Sequence, residues 1–296
     1  MKTTKLFWWS PRRALRLVLP EVRHNSAAWL HLGRETKRPL FNFGDELSPL
    51  IVQAISGRKV EWSAAHSADM VAVGSVFELA TRTASSAAVW GTGLRANTDA
   101  EGAERLLNNI GPILAVRGPN TRSALRLTET TPLGDPGLLA TRLIDRARDC
   151  SDSTLVIPHF SAWNSRHGRR QIMQLRTLGF QIAQPSLEPM DMIGRIARAR
   201  FVLSSSLHGV VIAHALGVPT QLLVNSTTSV REPMWKYHDY FASLGSAVNT
   251  LEFDCLEDAR AVDQAFVARE SDAASLQDAA GTLAAELESA LRTHLA

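Results

Sequence analysis

Short apolar runs alternate along this chain with longer segments in which apolar positions fall three and four residues apart. The runs at Lys59–Trp62, 68–73, 87–90 and 113–116 predict buried strands, and the patches at 44–56, 77–84, 101–109 and 120–127 predict helices between them. The theme repeats downstream, with strands expected at 154–158, 180–183, 201–203 and 221–224 and helices at 169–178, 190–199 and 207–216. Alternation of this kind argues for parallel, doubly wound sheets, so the fold class is expected to be α/β. A length of 296 residues reaches the limit of what one core serves, so two Rossmann-like domains are expected, at 41–150 and 151–250. The polar stretch 145–153 is the candidate linker, 1–40 reads as an N-terminal arm, and 251–296 as one or two amphipathic helices packed on the body.

Composition narrows the class. Hydrophobic residues make up 45% and charged residues 21%, which excludes a disordered chain. No apolar run approaches the ~20 residues that cross a membrane, and the run at 6–9 is shorter than a signal-peptide core, so a cytoplasmic location is expected. Cys150 and Cys255 stand far apart without neighbouring ligands, so neither a disulfide frame nor a metal site is expected.

Charge is polarised. Residues 1–40 carry nine Lys or Arg against Glu21 and Glu35, whereas 251–296 carry ten acidic residues against Arg260, Arg269 and Arg292. In the arm, Phe7, Trp8 and Trp9 interleave with Lys5, Arg12, Arg13 and Arg16, a pattern suited to the anionic inner face of a membrane. A solvated arm that folds onto the body is the equal alternative. Nucleic acid is not an expected partner, because the basic residues sit at one end and join no binding motif.

The richest stretch is 201–219, where an apolar strand passes through Ser204, Ser205 and Ser206 into a helix that begins at Leu207 and carries His208 and Gly209. Helix N-termini bind anions, and an imidazole beside an anion is a catalytic arrangement; an ordinary N-cap with a packed histidine is the plainer reading. Other motifs also fall at strand ends, where open α/β sheets bind ligands. Asn42-Phe43-Gly44-Asp45 can cap a helix or bind sugar hydroxyls. Gly74-Ser75-Val76 and Gly91-Thr92-Gly93-Leu94-Arg95 are small-residue turns that expose N–H groups, without the dinucleotide fingerprint. Arg117 offers a fork for phosphate or carboxylate, or a salt bridge closing the two domains. Asp135, between Gly134 and Pro136, orients a hydroxyl or merely forms the turn. His159 ends the first strand of the second half, and Met234-Trp235-Lys236-Tyr237-His238-Asp239-Tyr240 suits sugar stacking or anion binding.

Taken together, Asn42-Phe43-Gly44-Asp45, Arg117-Gly118-Pro119, Gly134-Asp135-Pro136 and Ser205-Ser206-Leu207-His208-Gly209 with 213–219 resemble the polysaccharide pyruvyl transferase family, over roughly residues 40 to 245. The resemblance implies a fold like the two-domain glycosyltransferase type B arrangement, with the site in a cleft. It further implies transfer of a pyruvyl group from phosphoenolpyruvate, with no other cofactor, to a sugar of an exported or cell-surface glycan, lipid-linked oligosaccharide being one form of acceptor. His208 and Asp135 would be catalytic. Arg117, Ser204, Ser205, Ser206, Gly209, Lys236 and Arg95 would hold the donor, and Asn42, Asp45 and His159 the acceptor. Many members carry an arginine where this chain has Ser206, which leaves Arg95, Arg122, Arg231, Lys236 or the serine turn to take its place. A nucleotide-sugar glycosyltransferase and a non-catalytic sugar-binding relative are the rival readings.

Overall fold

The computed structural model describes residues 2–11, 30, 32–33, 41–144, 151–224 and 233–296. Arg12, Arg13, Arg16, Arg231 and the linker residues 145–150 lie outside them. Two five-stranded sheets form the frame, and every strand pairing in them is parallel. The expected α/β class with two Rossmann-like sheets is therefore present.

The first sheet runs in the order β2-β1-β3-β4-β5, from Thr3–Phe7 (β1), Lys59–Trp62 (β2), Met70–Val71 (β3), Ala88–Trp90 (β4) and Ile113–Ala115 (β5). Of the stretch read as an arm, residues 2–11 are described, and they join the sheet. Thr3–Phe7 is a strand inside the sheet, paired on one side with β2 and on the other with β3. Its period is two, with Thr4 and Leu6 buried and Thr3 and Lys5 exposed. The lysine that suggested a basic arm is simply the outward side chain of a strand. Trp8 and Ser10 are fixed as well, donating from Nε1 and Oγ to Glu46 at 2.9 and 2.6 Å.

The second sheet has the order β10-β9-β8-β6-β7, built from Thr154–Ile157 (β6), Gln181–Ile182 (β7), Phe201–Ser204 (β8), Thr220–Val224 (β9) and Thr250–Glu252 (β10). The helices that position the site are α1 (Leu47–Ser56), α4 (Pro119–Ala124), α7 (Leu207–Ala215) and α8 (Trp235–Ser243), counted after α2 (Phe77–Ala80), α3 (Ala100–Asn108), α5 (Arg166–Thr177) and α6 (Pro189–Arg198). Helix α7 is buried at every position, which explains why its sequence is apolar all round and why its two histidines are in the interior.

Where one or two tail helices were expected, there is a single 37-residue helix, α9 (Ala259–Leu295), ~55 Å long at 1.5 Å per residue. Near its start Phe266 packs edge-on against Phe201 of the second sheet, at 5.5 Å between centroids. Further on, the Leu287 carbonyl accepts Trp90 Nε1 of the first sheet at 2.9 Å, and the Leu295 carbonyl accepts Arg58 at 2.6 Å. One apolar cluster runs through both halves, containing Leu6, Ile51 and Trp90 with Val210, Val211, Leu222 and Leu287. No helix among the described residues is long and apolar enough to cross a membrane.

Candidate active site

Three chain segments meet at the His208 ring. The strand-to-helix crossover after β8 places His208 in the first turn of α7, where its side chain is 11% exposed. Asp135 comes from the other half, as the cap of the 3-10 turn Pro136–Arg142, and its Oδ1 accepts Gly137 N at 2.8 Å. Its Oδ2 lies 3.7 Å from His208 Nε2, beyond hydrogen-bond range. Both atoms are enclosed and neither has a hydrogen-bond partner among the described residues. Two buried polar atoms left facing each other are costly, which makes this pair the candidate around which a site is built. Nε2 is shut in, so the remaining exposure of His208 belongs to the rest of the side chain.

The third segment is the Asn42 to Asp45 turn. A Cβ on Gly44 would fall 2.0 Å from His208 Nδ1, so only glycine lets the turn reach the ring. Phe43 N donates across to Pro185 O at 3.1 Å, which ties this turn to the second half. Burial pushes the His208 pKa down, with Lys236 and Arg117 adding to the effect and Asp135 opposing it. Desolvation outweighs Asp135, so the ligand-free ring prefers to be neutral.

Asp45 is the second perturbed group. It is 9% exposed, accepts Asn42 Nδ2 at 2.5 Å, and its Oδ1 occupies space left by Gly74 at φ 106°. Burial first and Glu46 second push its pKa up to about 7, against the pull of Lys236 and Arg95. In the unfolded chain the carboxyl titrates near 3.8, so its contribution to stability is full below that pH and is lost as pH rises through about 7. Asp45→Asn removes that loss. The variant should therefore gain on the order of a few kcal/mol over the parent at pH 8 and nothing at pH 4, read from urea midpoints at the two pH values. Parallel stability–pH curves would refute a carboxyl held neutral by burial.

The Arg117 guanidinium is engaged by protein partners. It is fully buried and forms an ion pair with Asp239 of α8, Nη2 to Oδ2 at 3.0 Å. Nε donates to the same carboxylate at 3.1 Å, Nη1 to Ser75 Oγ at 2.7 Å and Nη2 to Leu94 O at 2.6 Å. Asp239 also accepts Thr121 N and Oγ1 at 2.9 and 2.6 Å, and so caps the N-terminus of α4 from a distant element. The salt bridge that was the alternative reading of this arginine is what the fold contains. Gly93 and Gly118 serve it, since Cβ atoms there would lie 2.5 Å from Arg117 Cζ and 1.9 Å from Asp239 O. The turns 74–76 and 91–93 bond to each other, Thr92 Oγ1 donating to Gly74 O at 2.6 Å and accepting from Val76 N at 3.2 Å.

The serine triplet divides. Ser204 Oγ accepts Ser206 N at 3.0 Å and donates to Ser206 O at 2.8 Å, so it is spent on the turn. Gly209 packs on that hydroxyl, a Cβ there falling 2.3 Å from it. Ser205 Oγ accepts His159 N at 2.7 Å, while Tyr237 Oη donates to Ser205 O at 2.9 Å. Ser206 stands at the N-cap of α7 with no side-chain cap bond. His159 itself bonds Ser161 Oγ through Nδ1 at 2.9 Å and tilts over Phe160. Lys236 is buried with its ammonium 5.0 Å from the Tyr237 ring, and its charge acts on both Asp45 and His208. Arg95 is exposed, and its charge acts on Asp45. The structure thus gathers His208, Asp135, Gly44, Asp45, Asn42 and Lys236, and assigns Arg117, Ser204 and Gly209 to the framework.

Asp239, Tyr237 and Tyr240 were noticed in sequence only as part of an aromatic run. Asp239 lies 122 residues from Arg117, and no local spacing signals such a pair.

An uncharacterized protein, L143, of Acanthamoeba polyphaga mimivirus is 24% identical over 139 residues, 44% of this chain and 47% of that protein, so the chain spans about half the length of this curated relative. The family description polysaccharide pyruvyl transferase matches residues 3–227, starting at β1 and ending just beyond β9. With that match over most of its length, the chain belongs to the polysaccharide pyruvyl transferase family.

Proposed function

We propose that the chain transfers the pyruvyl group of phosphoenolpyruvate to a pair of hydroxyls on a sugar of an exopolysaccharide or cell-surface glycan precursor. The observation that carries this reading is the unsatisfied, buried His208–Asp135 pair in a chain of this family. Phosphoenolpyruvate brings a carboxylate and a phosphate. Those charges offset the burial that holds the His208 pKa down, so donor binding and proton uptake by the ring are coupled. Asp135 faces Nε2 and stabilises the imidazolium, and the opposite edge of the ring serves as the acid.

His208 donates its proton to the methylene carbon, and a sugar hydroxyl attacks the resulting cationic carbon. Asp45, with a pKa about 7, takes up the hydroxyl proton. A second hydroxyl then displaces phosphate, which leaves with that hydroxyl's proton and closes the ketal. Because Arg117 is committed to Asp239, Lys236, Arg95 and the Ser206 turn are the groups proposed to meet the donor's charges. Asn42 and His159 are placed on the acceptor side, the donor and acceptor meeting between the halves as in glycosyltransferase type B proteins. The reaction belongs on the cytoplasmic side, where lipid-linked precursors are exposed.

Incubation with phosphoenolpyruvate and lipid-linked or free oligosaccharides tests the reading. Expected are phosphate release and an acceptor mass increased by one pyruvyl ketal. Turnover of nucleotide sugars with release of nucleotide, and none with phosphoenolpyruvate, would replace it with a glycosyltransferase.

A further inference from the structure

We propose that Leu287 of α9 is a positioning residue that sets the distance between Asp135 and His208. Helix α9 begins at residue 259, outside the 3–227 family match, yet it touches α1, the 3-10 turn that Asp135 caps, β5, α7 and β9. It packs on both the turn that Asp135 caps and the helix that bears His208. At its centre the contact is close. Gly134 adopts φ 130°, and a Cβ there would lie 2.9 Å from Leu287 Cδ1 and 3.3 Å from Leu283 Cβ, so the backbone of the turn carrying Asp135 rests on the Leu287 side chain.

Leu287 is itself held. It is fully buried, and its carbonyl accepts Trp90 Nε1 at 2.9 Å. The strand end that follows Trp90 interlocks with the same turn, since a Cβ on Gly91 would meet Pro136 Cδ at 2.4 Å and Gly134 O at 2.8 Å. Leu287 is thus packed on Gly134 at the start of the turn, while the His208 ring approaches its other end, Cδ2 lying 3.8 Å from where a Cβ on Gly137 would stand. On the second half, Gln277 of α9 packs on Gly217, which closes the helix that bears His208. Asp135 Oδ2 has no bond of its own to fix it toward the ring. With Oδ1 held by Gly137 N, its 3.7 Å separation from Nε2 follows the backbone of the turn, which is placed by the bonds of Gly134 N to Val116 O and Arg117 O and by the packing of Leu287 against Gly134. A shift of about 1 Å in such a pair is enough to change turnover roughly a hundredfold.

The role rests on the His208–Asp135 reading of the site, but its test does not depend on the reaction. The charged groups acting on His208 are Asp135, Lys236 and Arg117, and of these only Asp135 rides on the turn that Leu287 supports. The imidazole of His208 is titrated by NMR in the parent chain, in Leu287→Ala and in Leu291→Ala. Leu291 is equally buried one turn on but is not among the nearest neighbours of Gly134. In Leu287→Ala the turn relaxes toward the vacated space, Asp135 withdraws, and the His208 midpoint moves down; in Leu291→Ala it stays with the parent. Restoring length with Leu287→Met returns the midpoint. An unchanged or raised midpoint in Leu287→Ala, or an equal fall in Leu291→Ala, overturns the proposal.

If Leu287→Ala does not fold, Trp90→Phe is titrated in its place, because it keeps an aromatic side chain and removes the Nε1 donor to Leu287 together with the pyrrole part of the indole. The same two results decide the matter. Where transfer is measurable, kcat should fall roughly tenfold or more in Leu287→Ala with KM little changed. A midpoint shift without detectable transfer of pyruvate would leave the positioning role standing and remove the proposed reaction instead.

Discussion

His208→Gln should reduce pyruvyl transfer by on the order of 10²–10⁴-fold, the range expected for loss of a positioned proton donor. Glutamine is the informative replacement. It keeps polar atoms near Asp135 Oδ2 and fills much of the space between Gly44 and Asp135, but it cannot carry a proton to carbon. Since burial already disfavours the charged ring, exchanging it for a neutral amide does not sacrifice a stabilising ion pair, and the thermal midpoint should stay close to the parent's. Coupled measurement of phosphate release and unfolding temperature separates the two effects. Turnover near the parent's in a folded His208→Gln variant would remove His208 from the chemistry and leave it as a packed histidine at a helix start. The histidine one and a half turns on, His214, gives the contrast. It accepts from or donates to Tyr240 Oη at 3.0 Å, and burial first, then Arg269, holds its pKa to about 3, so it stays neutral throughout the working range.

Arg117→Ala should destabilise the fold by about 3–5 kcal/mol, enough to leave much of the chain unfolded at 37 °C. The guanidinium and the Asp239 carboxylate are both fully buried, and removal of either leaves the other as an uncompensated charge. Ser75 Oγ and Leu94 O lose their donor at the same time. Asp239→Ala should cost a similar amount, while the double replacement Arg117→Met with Asp239→Leu should recover part of the loss, because a well-packed apolar pair needs no counter-charge. Urea denaturation of the four proteins checks this. An Arg117→Ala chain as stable as the parent, with weakened affinity for phosphoenolpyruvate, would return Arg117 to the donor site.

Much of the frame could be read from residues alone, because parallel strands buried on both faces are apolar runs and the helices between them carry a 3.6-residue period. The run at Phe201–Ser204 is of this kind, buried at every position, whereas Lys59–Trp62 is an edge strand legible from its alternation, with Lys59 and Glu61 exposed and Val60 and Trp62 half-buried. Thr3–Phe7 escaped because its alternation of polar and apolar side chains with Lys5 outward looks like an amphipathic basic segment when its two partners are unknown. Trp235–Ser243 escaped for a different reason: an aromatic run with lysine, histidine and aspartate suggests a binding surface, yet Lys236, Tyr237, Asp239 and Tyr240 are buried there. At the site, His208, Asp135 and the Asn42 to Asp45 turn were legible as motifs at strand ends. Their meeting was not, since Gly44 has to admit an imidazole from a helix that begins far along the chain. Arg117 shows the limit most clearly. A fork-shaped cation at a strand end has the same local sequence whether it faces a substrate or a buried carboxylate.

That carboxylate arrives late. Asp239 is 122 residues downstream of Arg117, a stretch that a ribosome takes roughly 6 to 24 s to add. During synthesis the first sheet can assemble around β1, but its interior arginine has no counter-charge and α4 has no cap until α8 has been made. The N-terminal half is thus obliged to wait, loosely ordered and in need of protection, for the segment that completes it. Chains interrupted anywhere before residue 239 would be substrates for proteases rather than half-built enzymes.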